Sequence, residues 1–543
     1  MKKIGKDQKT APSKPSRVKD SKIDLPPDFE ESLFALLGEA LQNGLKLDPN
    51  LLMDVSPSEM FAEFLNLCKP EKASDEDKDD LCSDLYEALS DLRIDANGGN
   101  RLAREEIEEI YDLLDDELDS GSLSLPDIIL VGKILSDAGW DIPDKLRQSA
   151  AAAFNTFQPE LQDVSEGDIL APLREVMGQA EEDPFEAYEF IRSMLATFPA
   201  EYGLVLLNEL IFSQNNSLNN ALIGFFLHED VSFAQSVATG LAQTSTQSAC
   251  QSLTIERLVR MRPWLPDERQ EQLDNLIKAM RKNALPPAQT TQPKTIKCFA
   301  SMCDGAGVST IMVTQRVGKS YQICSVMIKA TGVTEVLVFR DLPKSQMDIF
   351  VRKLKSSMPT SETDVAQISR LIALAIADNL RSKTLPPFRL VEVCECLELG
   401  SVRPDHTSPS DIFLELLSEL PPAETNEEAI KIAHVAILDA ELTDNWFEAG
   451  ENVENLLYPI RGRQRRVEKL LKSFLPERRS FWARQCALSA LALRGNKKAR
   501  VSDSLWKLLV LVGRDIAAEV PLDKIPLMKQ IAEMTVQAFE AQM

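Results

Sequence analysis

The sequence predicts a mainly α-helical protein in which two helical-repeat-like, α-solenoid-style regions flank a small four-stranded antiparallel β-meander. Three observations lead there. Through most of the chain, apolar residues recur every three or four positions, the period of a helix with one buried face. After residue 294 the period drops to two, and Val, Ile, Thr and aromatic residues dominate. Short breaks rich in Pro, Gly, Asn and Ser separate the segments.

Composition narrows the function. The chain has 543 residues, 44% hydrophobic and 27% charged, with a net charge of −24. That length buries a large core without disulfide or metal staples. The acidity disfavours general binding to nucleic acid or anionic lipid, because the long-range field repels phosphate, and it favours basic partners. Nine cysteines are spread irregularly, so reduced thiols in a cytoplasmic setting are the simplest reading. The basic start "MKKIGKDQKT" has no apolar run behind it and is not read as a secretory signal. Runs such as "LLVLVG" fall short of the roughly 20 residues a membrane span needs, so no membrane association is expected. General sequence style suggests a bacterial origin.

Residues 1–22 read as a disordered basic tail, since they hold little to bury. An acidic helical region follows over 23–120. "ASDEDKDDLCSDLYEALSDL" places Leu81, Leu85, Leu89 and Leu92 on one helical face. A helical domain is expected over 121–284, from "LPDIILVGKILSDAGW", "DPFEAYEFIRSMLATF", "EYGLVLLNELIFSQN", "SFAQSVATGLAQ" and "ERQEQLDNLIKAMRKN". Within it, "HEDVSFAQSVATGLAQ" has an Asp-containing turn leading into a helix with small residues on its packing side. That segment resembles one half of a HEAT-type helical repeat. The resemblance covers about 160 residues without a fixed period, and it implies solenoid-style packing and a protein-binding surface.

"NALPPAQTTQPK" breaks both helix and sheet, so 285–294 is read as a linker. A sheet module is expected over 295–358, from "TIKCFASM", "VSTIMVTQ", "SYQICSVMIK" and "VTEVLVFR", with a helix at 343–357. Short loops make neighbouring strands antiparallel. The stretch "CFASMCDGAGVSTIMV" looks at first like a phosphate or metal site. Thr310 stands where a dinucleotide loop needs its third glycine, and a strand-like segment follows where a helix is required. "RVGKSYQ" fails as a phosphate loop for a similar reason, with Val313 in place of the first glycine. Asp304–Gly307 and Gly318–Lys319 are better read as turns. Strand alternation places Cys298 with Ile296, Ala300 and Met302, and Cys303 with Phe299 on the other face, so the two thiols cannot share a metal. Both faces of the sheet are apolar, which implies helices on both sides. Residues 359–543 are expected to be a C-terminal helical domain.

Catalytic motifs do not emerge. There is no G-x-S-x-G elbow, and His228, His406 and His434 lie in separate segments. His434 reads as a buried or half-buried helix residue. No catalytic residue, cofactor or structural metal is assigned. "DANGGNRLAREE" places Asp95, Asn97 and Glu106 at the first, third and twelfth positions of a calcium loop. It departs at Gly99, which offers no side-chain ligand, and at Asn100, where the loop's glycine should be. The competing reading is a helix end followed by a capped restart. The sharpest local contrast is "IRGRQRRVEKLLKSFLPERRSFWARQ" at 460–485, followed by "RGNKKAR". Arg461, Arg463, Arg465, Arg466, Lys469, Arg478, Arg479 and Trp482 form the candidate partner or nucleic-acid surface, against the alternatives of a solvated face or a dock for the chain's own acidic half. The expectation is a non-catalytic scaffold or adaptor that binds protein partners. A nucleic-acid-associated accessory protein using residues 461–500 is the alternative, and an enzyme without a recognisable motif is the third reading.

Overall fold

The computed structural model describes residues 56–68, 75–97, 100–157, 183–213, 216–245, 252–284, 294–438, 445–495 and 505–541. The expected basic tail and most of the proline-rich linker lie outside them. Among the described residues there are twenty-one α-helices and one five-stranded antiparallel sheet.

The chain begins with α1 (Pro57–Leu67), α2 (Asp75–Asn97), α3 (Arg101–Ser120), α4 (Leu125–Asp137) and α5 (Asp144–Phe157). Their starts follow capping chemistry. Ser56 and Ser124 close capping boxes with Glu59 and Asp127, and Asn100 accepts from the amides of Leu102 and Ala103. Leu85, Leu89 and Leu92 are buried as their spacing requires, in a cluster with Phe61, Phe64, Ile110, Leu114, Ile128, Val131 and Phe154. Phe198 joins it from further along the chain.

α6 (Pro184–Ala196), α7 (Ala200–Phe212), α8 (Asn216–Leu222), α9 (Val231–Thr244), α10 (Ser252–Met261) and α11 (Asp267–Met280) follow. The sheet comprises β1 (Lys294–Ser301), β2 (Ser309–Val317), β3 (Ser320–Lys329), β4 (Gly332–Leu342) and β5 (Thr360–Thr363), with α12 (Lys344–Ser357) before the last strand. Strand order is β4-β3-β2-β1-β5. The expected meander is therefore correct for four strands and incomplete by one. β5 is the polar tetrapeptide "TSET", which pairs Thr363 with Cys298 and Thr360 with Ser301 along the sheet edge. Its sequence carries no apolar alternation because its place comes from backbone bonds to β1.

The remaining helices are α13 (Val365–Ser382), α14 (Leu390–Cys396), α15 (Pro409–Ser418), α16 (Glu427–Ala436), α17 (Glu451–Leu457), α18 (Arg463–Lys469), α19 (Arg479–Arg494), α20 (Leu505–Ala517) and α21 (Pro526–Ala541). A π turn at Leu470–Phe474 follows α18.

Both faces of the sheet are covered. Cys298, Ala300, Ile311, Val313, Cys324 and Val326 enter one large cluster that runs from Phe185 to Phe539 and includes α13 and α19. Phe299, Met312 and Ile323 face the other way, onto Met347 and Leu354 of α12. α1–α5 share one buried cluster, while α6–α11 join the sheet and C-terminal helices in another.

Cys303 lies beyond the end of β1 and not on the Phe299 face. Its amide donates to Ser489 Oγ at 3.0 Å, and its carbonyl accepts from Trp446 Nε1 at 3.1 Å. The turn after it is as expected. Asp304 Oδ1 accepts from the Val308 amide at 2.8 Å, and Gly307 takes φ +84°.

Candidate functional site

The basic segment folds as a helix, a π turn and a second helix, and it divides into two sets of residues. Arg461, Arg463, Arg465 and Lys469 are exposed. The other four candidates are built into the fold. Arg466 donates to the Ile460 carbonyl at 2.9 Å, pairs with Glu540 at 2.8 Å and lies 4.9 Å above the Phe539 ring. Arg479 donates to the carbonyls of Ile516 and Val520, satisfying the end of α20. Trp482 is fully buried, and its indole donates to Glu448. Arg478 bonds the same carboxylate at 2.9 Å and stacks 3.8 Å from the Phe481 ring centroid. Of the candidate partner-binding residues, Trp482 thus lies in the core, and Arg466, Arg478 and Arg479 act as donors within the fold. The physical reason is local: carbonyls at a helix end and a nearly buried glutamate need donors, and arginine supplies several.

The partners of this segment and its neighbours are C-terminal acids. Arg466 meets Glu540, Arg478 meets Glu448, Arg494 meets Glu419 and Lys507 meets Glu424. Much of the local positive charge is neutralised there by acids of the same C-terminal region.

The acidic region makes the opposite surface. α2 and α3 each carry nine acids against two bases. Along α3, Glu105, Glu108, Glu109, Asp112, Asp116 and Asp119 are exposed at helical spacing and form one stripe. Arg101 pairs with Glu105, and Lys145 with Asp119. Glu108, Glu109, Asp112 and Asp116 make no ion pair among the described residues. Tyr86, Ile94 and Leu102 are exposed on the same two helices.

The calcium arrangement is not assembled. Asp95 lies within α2, where it is exposed, and Asn100 serves as the cap of α3. Glu106 accepts from the Ser58 amide at 3.2 Å. Among the described residues, no group of three or more His, Cys, Asp or Glu could hold a metal ion. His434 is half-buried and meets Asp515 at 3.0 Å.

Tertiary packing also assembles polar groups that have no sequence signature. Asp378 is fully buried and accepts from Arg484 and Arg381, linking α13 to α19. Arg340 of β4 bridges Asp183, the cap of α6, and Glu392 of α14; Arg389 adds a second cation. At Asp183, burial opposes ionisation, but Arg389, Arg340 and two backbone amides outweigh it and hold the carboxyl below the usual aspartate range. At Glu392, burial wins over the same arginines and pushes the carboxyl up. Arg257 forms a bidentate bridge to Glu395 at 2.8 and 3.0 Å. An open groove of about 540 Å³ lies nearby, lined by Arg262, Gln270, Ser401, Arg403 and His406 among others. Arg262 is already bonded to Asp274 at 2.6 and 2.8 Å.

The fold and its surfaces define a mainly α-helical protein with a covered central sheet and segregated surface charge. No helix among the described residues is long and apolar enough to cross a membrane. Residues 410–540 match the family model described as the Y4lR C-terminal helical domain, and residues 199–284 match the Y4lR second domain. The chain is 25% identical over 416 residues to "Uncharacterized protein y4lR" of Sinorhizobium fredii (strain NBRC 101917 / NGR234), covering 74% of this chain and 77% of that protein. The segment that resembles a HEAT repeat falls inside the second-domain match, so what the comparisons support there is likeness to Y4lR. No solved structure matches the chain.

Proposed function

We propose that this protein is a non-catalytic scaffold or adaptor acting through protein–protein contacts, with the α2–α3 surface receiving a basic partner. One observation supports this reading above the others: the stripe of Glu108, Glu109, Asp112 and Asp116, exposed and without an ion pair among the described residues. Like charges at such spacing cost helix stability, and a cationic partner offsets that cost. Tyr86, Ile94 and Leu102 add apolar contact area on the same helices. The test is affinity capture with the full chain from its source cells, repeated with E108K/E109K/D112K/D116K. A basic chain retained at low salt and lost on charge reversal supports the reading. Retention that ignores the reversal, or no retained chain, removes it.

A nucleic-acid-associated role is the second reading, favoured by the exposure of Arg461, Arg463, Arg465 and Lys469. It requires salt-dependent retention of DNA or RNA that R461E/R463E/R465E abolishes. Absence of retention at low salt ends it.

A further inference from the structure

β3 and α14 bring together two sulfurs that are remote in sequence. Cys324 pairs with Val313 and Val338 within the sheet, and Cys396 ends α14. Gln322 Nε2 donates to both, at 3.7 Å to Cys324 Sγ and 3.6 Å to Cys396 Sγ. One nitrogen therefore lies within 3.7 Å of both sulfurs. Cys396 is held a second time, because Gln315 Nε2 donates to its carbonyl at 2.7 Å. Gln315 and Gln322 are cross-strand partners, so one pair of buried amides positions both the backbone and the sulfur of Cys396 against β3. Buried amides are costly unless bonded, and here their donors are directed at these two cysteines.

We infer that Cys324 and Cys396 are an oxidisable dithiol, a modification site whose product is a disulfide joining the sheet to α14. The co-reactant is a two-electron oxidant of the peroxide class. Cys396 is 9% exposed and Cys324 0%, so the oxidant meets Cys396 first. The Cys396 thiolate attacks one peroxide oxygen. An S–O bond forms, the O–O bond breaks, and the departing oxygen leaves as water after taking a proton. Cys324 then gives up its proton and attacks the Cys396 sulfur. The S–S bond forms, the S–O bond breaks, and a second water leaves. Two thiols and one hydrogen peroxide thus become one disulfide and two waters. The neighbouring Cys396 thiol and burial hold the Cys324 thiol well above its ordinary range, which suits it to the second step and not the first. Holding both sulfurs on the one Gln322 amide offsets its small thiolate fraction by proximity. Cys394, fully buried and pushed up to about 12 by burial, is the internal control.

The test uses the full-length reduced chain under native conditions. It is treated with hydrogen peroxide, unfolded in guanidinium with N-ethylmaleimide, and mapped by mass spectrometry without reduction. The expected result is one peptide pair linking Cys324 to Cys396, with two fewer alkylated thiols per chain, reversed by dithiothreitol. C394S leaves the link intact, and C324S leaves a sulfenic acid on Cys396 that dimedone labels. The wild-type map decides the matter even where a variant fails to fold. Both cysteines still alkylated, Cys396 linked elsewhere, or Cys396 over-oxidised without a link would each overturn the inference.

Discussion

Trp482 Nε1 donates to the Glu448 carboxylate at 2.8 Å inside the C-terminal helices. The same carboxylate takes the Arg478 guanidinium, and the Glu448 amide donates to Thr535 Oγ1 at 2.9 Å. Three separate segments therefore meet at one nearly buried glutamate. Glu448→Ala leaves the indole and the guanidinium without their acceptor and is expected to cost about 1.5–3 kcal/mol. Glu448→Gln keeps an acceptor and should cost less. Urea unfolding checks this, as a lower midpoint at unchanged slope.

Arg465 and Arg466 are adjacent but do different work. Arg465→Glu should leave stability within about 0.5 kcal/mol, as for an exposed surface position. Arg466→Ala removes a carbonyl bond, the Glu540 pair and the contact with Phe539, and should cost about 1–3 kcal/mol. Thermal melts of the two variants separate them, and equal effects would contradict the structure.

Stability in acid should carry opposite contributions from Asp183 and Glu392. Asp183 is depressed in the folded state, so its contribution is present above the unfolded value and is lost as pH falls through the lower folded one. Glu392 is raised, so stability falls as pH rises from its unfolded value through the folded one. Asp183→Asn should therefore be destabilising near pH 7 and approach wild type once both states are protonated. Glu392→Gln should remove a stability loss that wild type shows on going from acid towards neutral pH. Denaturant titrations between pH 3 and 7 read both slopes.

Gly305 has no room for a side chain. A Cβ there would sit 1.7 Å from the Asn445 carbonyl oxygen, a backbone atom that cannot swing away. Gly305→Ala is expected to cost at least about 2 kcal/mol, in the upper range for single substitutions. Gly318→Ala pays only for its φ of +60°, since nothing lies within 4 Å, and should cost about 1 kcal/mol. A thermal-shift comparison of the two turns tests whether close approach or backbone angle dominates.

Periodicity alone located the helices around Leu85–Leu92 and Val231–Thr244 and the four strands from β1 to β4. Each of these buries a stripe whose spacing the chain itself carries. The same logic identified the Asp304–Gly307 turn and the double-sided sheet, because alternating apolar residues on both faces admit few other arrangements. β5 escaped because a short edge strand is specified by its neighbour's backbone and not by its own side chains. The basic segment was visible as composition, but composition does not say which cations are free. Arg461 and Arg465 remained at the surface, while Arg466, Arg478 and Arg479 were taken up by carbonyls and carboxylates that arrive from α20, α21 and the segments flanking α17 and α20.

What the sequence determined by itself was local: which segments are helix or strand, which face each buries, and where the chain turns. Those follow from interactions within a few residues. Only the tertiary structure decided that Trp482 lies in the core against Glu448, that Asp378 is buried against Arg484, and that Gln322 reaches the sulfur of Cys396. Each such pair joins residues 34 or more positions apart. Hydrogen bonds and thiol contacts act over a few ångströms, so a pairing of this kind exists only once packing has brought the segments together.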